Sequence, residues 1–137
     1  MQQKKDSLRR DILGLHHISI KSRDLKKSLE FYHGLLGLKV RYQWADDSGQ
    51  AVLLDAGDGN YIEIWSTDEA YSPGTGALIH FALRVDSIDS LLEKLRAGNI
   101  EITMDLTEIK IPAKVPLRAK IAFCKGPSGE SIEFFQE

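Results

Sequence analysis

Two stretches of this chain run through one pattern in the same order, and that internal repeat constrains the fold more than any other feature. The first reads His17-Ile18-Ser19-Ile20, then Asp24-Leu25 opening a helical pattern, Gly37 closing it, and Tyr61-Ile62-Glu63-Ile64. The second reads His80-Phe81-Ala82-Leu83, then Ser87-Ile88, Gly98, and Ser131-Ile132-Glu133-Phe134. The spacing between the histidines is 63 residues and that between the glutamates is 70, so the second half carries a few extra residues. They are expected in a loop over 107–118, which holds Pro112 and Pro116.

Each half reads β-α-β-β-β. In the first, strands are expected over 15–21, 38–44, 51–55 and 61–66, with turn signals at 47–49 and 57–60. Asp24 is a good N-cap for a helix whose apolar positions Leu25, Leu29, Tyr32 and Leu36 follow helical spacing. Gly34 interrupts that helix slightly, and Gly37 suits its left-handed C-terminal turn. The second half repeats this with a strand over 78–85 and a helix over 87–97 whose inner face is Leu91, Leu92 and Leu95. Strands over 100–104, 119–124 and 131–136 follow. Module 1 is thus expected over 14–68, a linker over 69–77 and module 2 over 78–137. A four-stranded half cannot cover both faces of its own sheet, so the modules should pack as one α+β domain spanning 1–137, its mixed sheets curved around a concave cavity.

With 137 residues, 42% of them hydrophobic and 28% charged, the chain has material for one core. A net charge of −2 offers no electrostatic footprint for nucleic acid. The uncharged apolar runs fall far short of the roughly 18 residues of a membrane span. Residues 1–11 are rich in Lys, Arg and Gln and read as a solvated tail or short packing arm, with no signal-type apolar region after them. The single Cys124 excludes an intrachain disulfide framework, fits a reducing, cytoplasmic setting, and reads as a buried, inert thiol rather than a nucleophile.

Strand alternation then sorts side chains by face. Ile18 and Ile20 oppose His17, Ser19 and Lys21; Ile62 and Ile64 oppose Tyr61, Glu63 and Trp65. Phe81 and Leu83 oppose His80, Ala82 and Arg84; Ile132 and Phe134 oppose Ser131, Glu133 and Phe135. The aliphatic face should meet the helices. The other gathers two His and two Glu at equivalent points of the repeat, with Tyr61, Trp65 and Phe135 as aromatic walls and Lys21 and Arg84 able to attract an anionic substrate group. Carboxylates among apolar neighbours need a positive partner, and a divalent cation is the simplest one. Two imidazoles and two carboxylates suit Zn²⁺, Ni²⁺, Co²⁺, Fe²⁺ or Mn²⁺ with water in the open positions, and the absence of thiolates argues against a closed structural zinc site. The plainer alternative for each residue alone is a hydrogen-bonded strand His or a solvated strand Glu; recurrence in register across both halves weakens it. His16 and His33 have no counterparts in the other half and keep that plain reading.

The whole pattern after Leu13 resembles the vicinal oxygen chelate superfamily, the glyoxalase/bleomycin-resistance/dioxygenase fold. Its carriers are Gly14-Leu15-His16-His17-Ile18-Ser19-Ile20, Phe31-Tyr32 to Leu36-Gly37-Leu38, Ile62-Glu63-Ile64, His80-Phe81-Ala82-Leu83-Arg84-Val85 and Gly126-Pro127-Ser128-Gly129-Glu130-Ser131-Ile132-Glu133-Phe134. The fold hosts many chemistries. The resemblance is nearest to bacterial glyoxalase I, whose His, Glu, His and Glu ligands match His17, Glu63, His80 and Glu133. It implies one divalent metal per site, a homodimer, and a small hemithioacetal-type substrate. It also implies proton transfer beside a carbonyl, with Glu133 as base and Glu63 as a second catalytic group. Methylmalonyl-CoA epimerase commonly has Gln where this chain has Glu63, and non-catalytic binders of the fold lack the ligands; both remain rivals. Lys21 and Thr67 stand where glyoxalase I usually has Arg and Asn, which argues against glutathione as the thiol. The resemblance leaves open whether one chain supplies all four ligands or two copies share each site.

Overall fold

The computed structural model describes residues 15–47, 49–68, 78–112 and 114–137. The expected tail over 1–11 and linker over 69–77 lie outside the described residues. In the first half, β1 (His17–Ser22) leads to α1 (Leu25–Leu29), then to β2 (Lys39–Asp46), β3 (Gly49–Gly57) and β4 (Asn60–Ser66). In the second, β5 (Phe81–Arg84) leads to α2 (Ile88–Ala97), then β6 (Ile102–Ile111), β7 (Leu117–Lys125) and β8 (Ser131–Gln136). The halves form two four-stranded mixed sheets of matching order, β1-β4-β3-β2 and β5-β8-β7-β6. In each, the first strand runs parallel to the last and the others are antiparallel. The architecture is α+β, as the repeat requires.

Local chemistry sets the element ends. The Asp24 carboxylate accepts the Lys27 N–H at 3.1 Å, and the Ser87 hydroxyl accepts the Ser90 N–H at 3.3 Å, each capping the start of its helix. α1 widens into π-helical turns over Glu30–Leu35, where a plain helix was expected. The wider turn carries two consecutive large side chains, Phe31 and Tyr32, into the core together. Gly37 takes the left-handed conformation at φ 80°. Gly98 does not; Asn99 is the left-handed residue, at φ 59°. Gly98 serves packing instead, since a Cβ there would stand 3.0 Å from the Leu35 side chain of the other half.

Two strand expectations need correction. β6 continues to Ile111, so the supposed loop over 107–118 shrinks to the residues between Ile111 and Leu117. Register shifts between Ile102 and Met104, and again between Met104 and Thr107, break the alternation by which the strand would be read through. β5 is shorter than expected: its ladder with β8 begins only at the pair Phe81–Ile132. Leu78 and Ile79 are left 80% exposed.

One core joins the halves. Val52, Leu54, Ile62 and Ile64 of the first sheet and Ala122, Cys124, Ile132 and Phe134 of the second pack with Phe31, Tyr32, Ile88, Leu92 and Leu95 of the helical segments. A polar strut crosses the same boundary. The Tyr32 hydroxyl donates to Glu130 Oε2 at 2.7 Å, while Glu130 Oε1 accepts the Ser128 N–H at 2.8 Å. With the helix-side faces committed to this core, alternation turns the His and Glu of every strand pair to the opposite faces of the sheets.

Candidate metal centre

The parallel register explains how each half builds a two-donor cluster. His17 pairs with Tyr61 and Ser19 with Glu63, so Glu63 lies diagonally across β4 from His17. Ala82 pairs with Glu133, which gives His80 the same diagonal to β8. His17 Nε2 stands 3.9 Å from Glu63 Oε1, and His80 Nε2 stands 3.1 Å from Glu133 Oε1. Both glutamates are mostly shielded, at 18% and 13% side-chain exposure.

The neighbours of the two clusters differ. Glu63 Oε1 accepts hydrogen bonds from Trp65 Nε1 at 2.8 Å and Ser19 Oγ at 3.0 Å. His17 Nδ1 lies 2.9 Å from His16 Nδ1. Trp44 meets Trp65 edge to face at 5.5 Å, and the Arg41 guanidinium lies over the Tyr61 ring at 4.7 Å. In the second cluster the His80 ring packs edge-on against Phe123 at 5.1 Å. Sequence reasoning gave His16 a plain hydrogen-bonded reading and did not single out Trp44 or Arg41 as neighbours of the first cluster. Residue 16 precedes the first rung of β1, so alternation does not govern it, and the bulge between Val40 and Tyr42 upsets the face count on β2.

The structure does not bring all four side chains together. Among the described residues no group of three or more His, Cys, Asp or Glu side chains could hold a metal ion. Each half instead presents a His–Glu pair. Two donors bound side by side to one ion at about 2.1 Å stand roughly 3 Å apart, so the second pair fits a shared ion as it stands and the first must close by roughly 1 Å. The donor set, two imidazoles and two carboxylates, suits a borderline divalent ion, but one pair alone leaves a coordination shell half filled.

Of the five expected substrate-binding residues, three meet. Tyr61, Arg84 and Phe135 line a cleft of about 630 Å³ with residues of β1 and β5. Arg84 there lies 3.6 Å from Asp58, both exposed. A second cleft of about 200 Å³ is lined by Ser19, His80 and Ser131. Lys21 and Trp65 line neither; they pair across β1 and β4. Cys124 is fully buried, and burial first, then the charge of Glu130, pushes its thiol up to about 12, which leaves it inert as a nucleophile. Among the described residues no helix is long and apolar enough to cross a membrane.

Known proteins agree with this architecture. A probable lactoylglutathione lyase of Synechocystis is 33% identical over 130 residues, covering 89% of this chain and 94% of its own length. A glyoxalase family protein from Enterococcus faecalis superposes with a TM-score of 0.73 at 20% identity, over 92% of this chain and 99% of that one. A mutant of the fosfomycin resistance protein FosX from Listeria monocytogenes, solved with Mn(II) and dihydroxypropylphosphonic acid, gives a TM-score of 0.68 at 20% identity, over 90% and 91% of the two chains. The sequence model of the Glyoxalase/Bleomycin resistance protein/Dioxygenase superfamily matches residues 14–134, and the chain belongs to that superfamily.

Proposed function

We propose that this protein is a divalent-metal-dependent lyase or isomerase of the glyoxalase I type, acting by proton transfer beside the carbonyl of a small hemithioacetal-like substrate. The observation that carries this reading is the pair of equivalent His–Glu clusters on two matching sheets, in a chain similar to a probable lactoylglutathione lyase. Each cluster supplies two donors and the chemistry needs an ion held by three or four, so His17 and Glu63 of one copy join His80 and Glu133 of a second copy. Exposed Leu15, Leu78 and Ile79 beside the clefts support such a homodimer, because burying them against a second copy removes apolar surface from water. The lone buried Cys124 supports a cytoplasmic setting.

When bound, the metal supplies Lewis-acid polarisation of the substrate carbonyl. Glu133 then takes the proton from the adjacent carbon onto a carboxylate oxygen. Glu63, oriented by Trp65 and Ser19, either stays a ligand while Glu133 returns the proton to the neighbouring carbon, or takes part itself. In the second case it takes the substrate hydroxyl proton and gives it to that carbon, while Glu133 passes its own to the former carbonyl oxygen. Tyr61, Arg84 and Phe135 line the cleft that receives the rest of the substrate, and Arg84 meets an anionic group if one is present. No further reactant is needed, because substrate and product are isomers: the neighbouring carbon gains one proton and the former carbonyl oxygen the other, both supplied by the substrate's own C–H and O–H.

A second reading, an epimerase of an acyl thioester or sugar-like substrate, is favoured by Lys21 and Thr67, which stand where a glutathione pocket usually has Arg and Asn. One experiment separates the two. Protein purified without chelators is analysed for metal and assayed on hemithioacetals of glutathione and of other thiols. Metal-dependent turnover that vanishes in Glu133→Gln, with the fold retained, supports the lyase. Inactivity with every thiol despite a filled site moves the assignment to the epimerase, and full turnover by Glu133→Gln overturns both.

A further inference from the structure

We infer that His16 is a positioning residue for the metal centre: its Nδ1 accepts the Nδ1–H of His17 and so leaves the Nε2 lone pair of His17 bare on the side of Glu63. Its importance for metal binding rests on the site proposed above; the hydrogen bond itself does not.

A neutral imidazole has one N–H and one lone pair. Two Nδ1 atoms 2.9 Å apart therefore share a single proton, and one ring must donate. If His16 donated, His17 would carry its proton on Nε2 and have nothing there to give a metal. That N–H would face Glu63 Oε1 at 3.9 Å, beyond hydrogen-bond reach, and the oxygen already accepts from Trp65 and Ser19. If His17 donates, both Nδ1 atoms are satisfied and Nε2 is open. A metal-bound imidazole needs an acceptor for its other N–H, since that partner fixes tautomer and ring orientation.

His16 is itself held in place. Its carbonyl accepts the Tyr61 N–H at 2.8 Å and its ring lies 5.1 Å from the Tyr61 ring. Among the described residues the second half has no such device. The residue before His80 is the exposed Ile79, and His80 Nε2 stands 3.1 Å from Glu133 Oε1, close enough to donate to it. The first half thus sets the tautomer of its imidazole in advance, although its pair must still close, whereas the second pair already stands at ligand spacing.

The test compares the wild type with two variants. His16→Phe keeps a ring against Tyr61 and removes the acceptor, and His16→Asn offers an amide oxygen near the lost nitrogen. Imidazole ¹⁵N shifts in metal-free protein read the His17 tautomer, and chelator competition reads Zn²⁺ affinity. The wild type should carry its His17 proton on Nδ1. His16→Phe should lose that preference and bind Zn²⁺ about 10–100-fold more weakly, as expected for removal of an outer-shell partner, with His16→Asn recovering most of the loss. A His17 proton on Nε2 in the wild type, or unchanged Zn²⁺ affinity in His16→Phe, overturns the inference. If the wild type binds no Zn²⁺, the metal reading fails, and the tautomer alone decides the role of His16.

Discussion

Replacing Tyr32 with Phe should cost about 1.5–2.5 kcal/mol of stability, the lower part of the range for a hydrogen bond to a charged group. Tyr32 is fully buried, and its hydroxyl donates across the boundary between the halves to Glu130 Oε2 at 2.7 Å. Phe fills the same ring space but leaves that oxygen without its donor. The upper part of the range does not apply, because Glu130 is only partly buried and keeps its Ser128 bond. The loss should also depend on pH. Burial first, then the charge and hydrogen bond of Glu130, hold the Tyr32 phenol well above its usual pKa near 10. A raised pKa means stability that is complete below about pH 10 and is lost as pH climbs beyond it, by up to about 1.4 kcal/mol per pH unit for one group. Phe has no such titration. The gap between wild type and variant should therefore be constant from neutral pH to about pH 9 and narrow above pH 10. Urea unfolding of both proteins across that span reads it directly. A gap under about 0.5 kcal/mol at neutral pH, or one that stays constant through pH 11, refutes the strut.

The same strut predicts the effect of Gly126→Ala. A Cβ at residue 126 would fall into the Glu130 carboxylate, which must shift from the position where it bonds Tyr32 and Ser128. Urea unfolding should give a loss of about 1.5–3 kcal/mol, and combining it with Tyr32→Phe should give less than the sum of the two. Cys124, with its thiol at about 12, is roughly one part in ten thousand thiolate at pH 8, so a disulfide reagent should modify it only after denaturant is added. Rapid stoichiometric labelling of the native protein contradicts its burial.

The repeat made the fold legible because each strand alternates cleanly where both faces are used. Ile62, Ile64, Ile132 and Phe134 point to the core, and Glu63 and Glu133 to the other side, as alternation requires. Legibility failed where the backbone leaves its period. The bulges of β6 hid a strand that continues to Ile111, and the π-helical turns around Phe31 and Tyr32 broke the helical spacing. Alternation identified the His–Glu pairs but could not tell how the two sheets sit relative to each other. Nor could it find His16, whose ring reaches His17 from a residue outside the ladder.

The shared site can be tested most directly by mixing two inactivated copies. His17→Ala and His80→Ala each lack a ligand in every site of their own homodimers. In a mixed dimer with sites shared between copies, one site loses both histidines and the other keeps His17, Glu63, His80 and Glu133 intact. After equal amounts are unfolded together and refolded, about half the dimers are mixed and each carries one of two sites, so bound metal and turnover should recover to about one quarter of wild type. Recovery that stays at the level of the separate variants, in a mixture where mixed dimers have formed, contradicts a centre built from two copies.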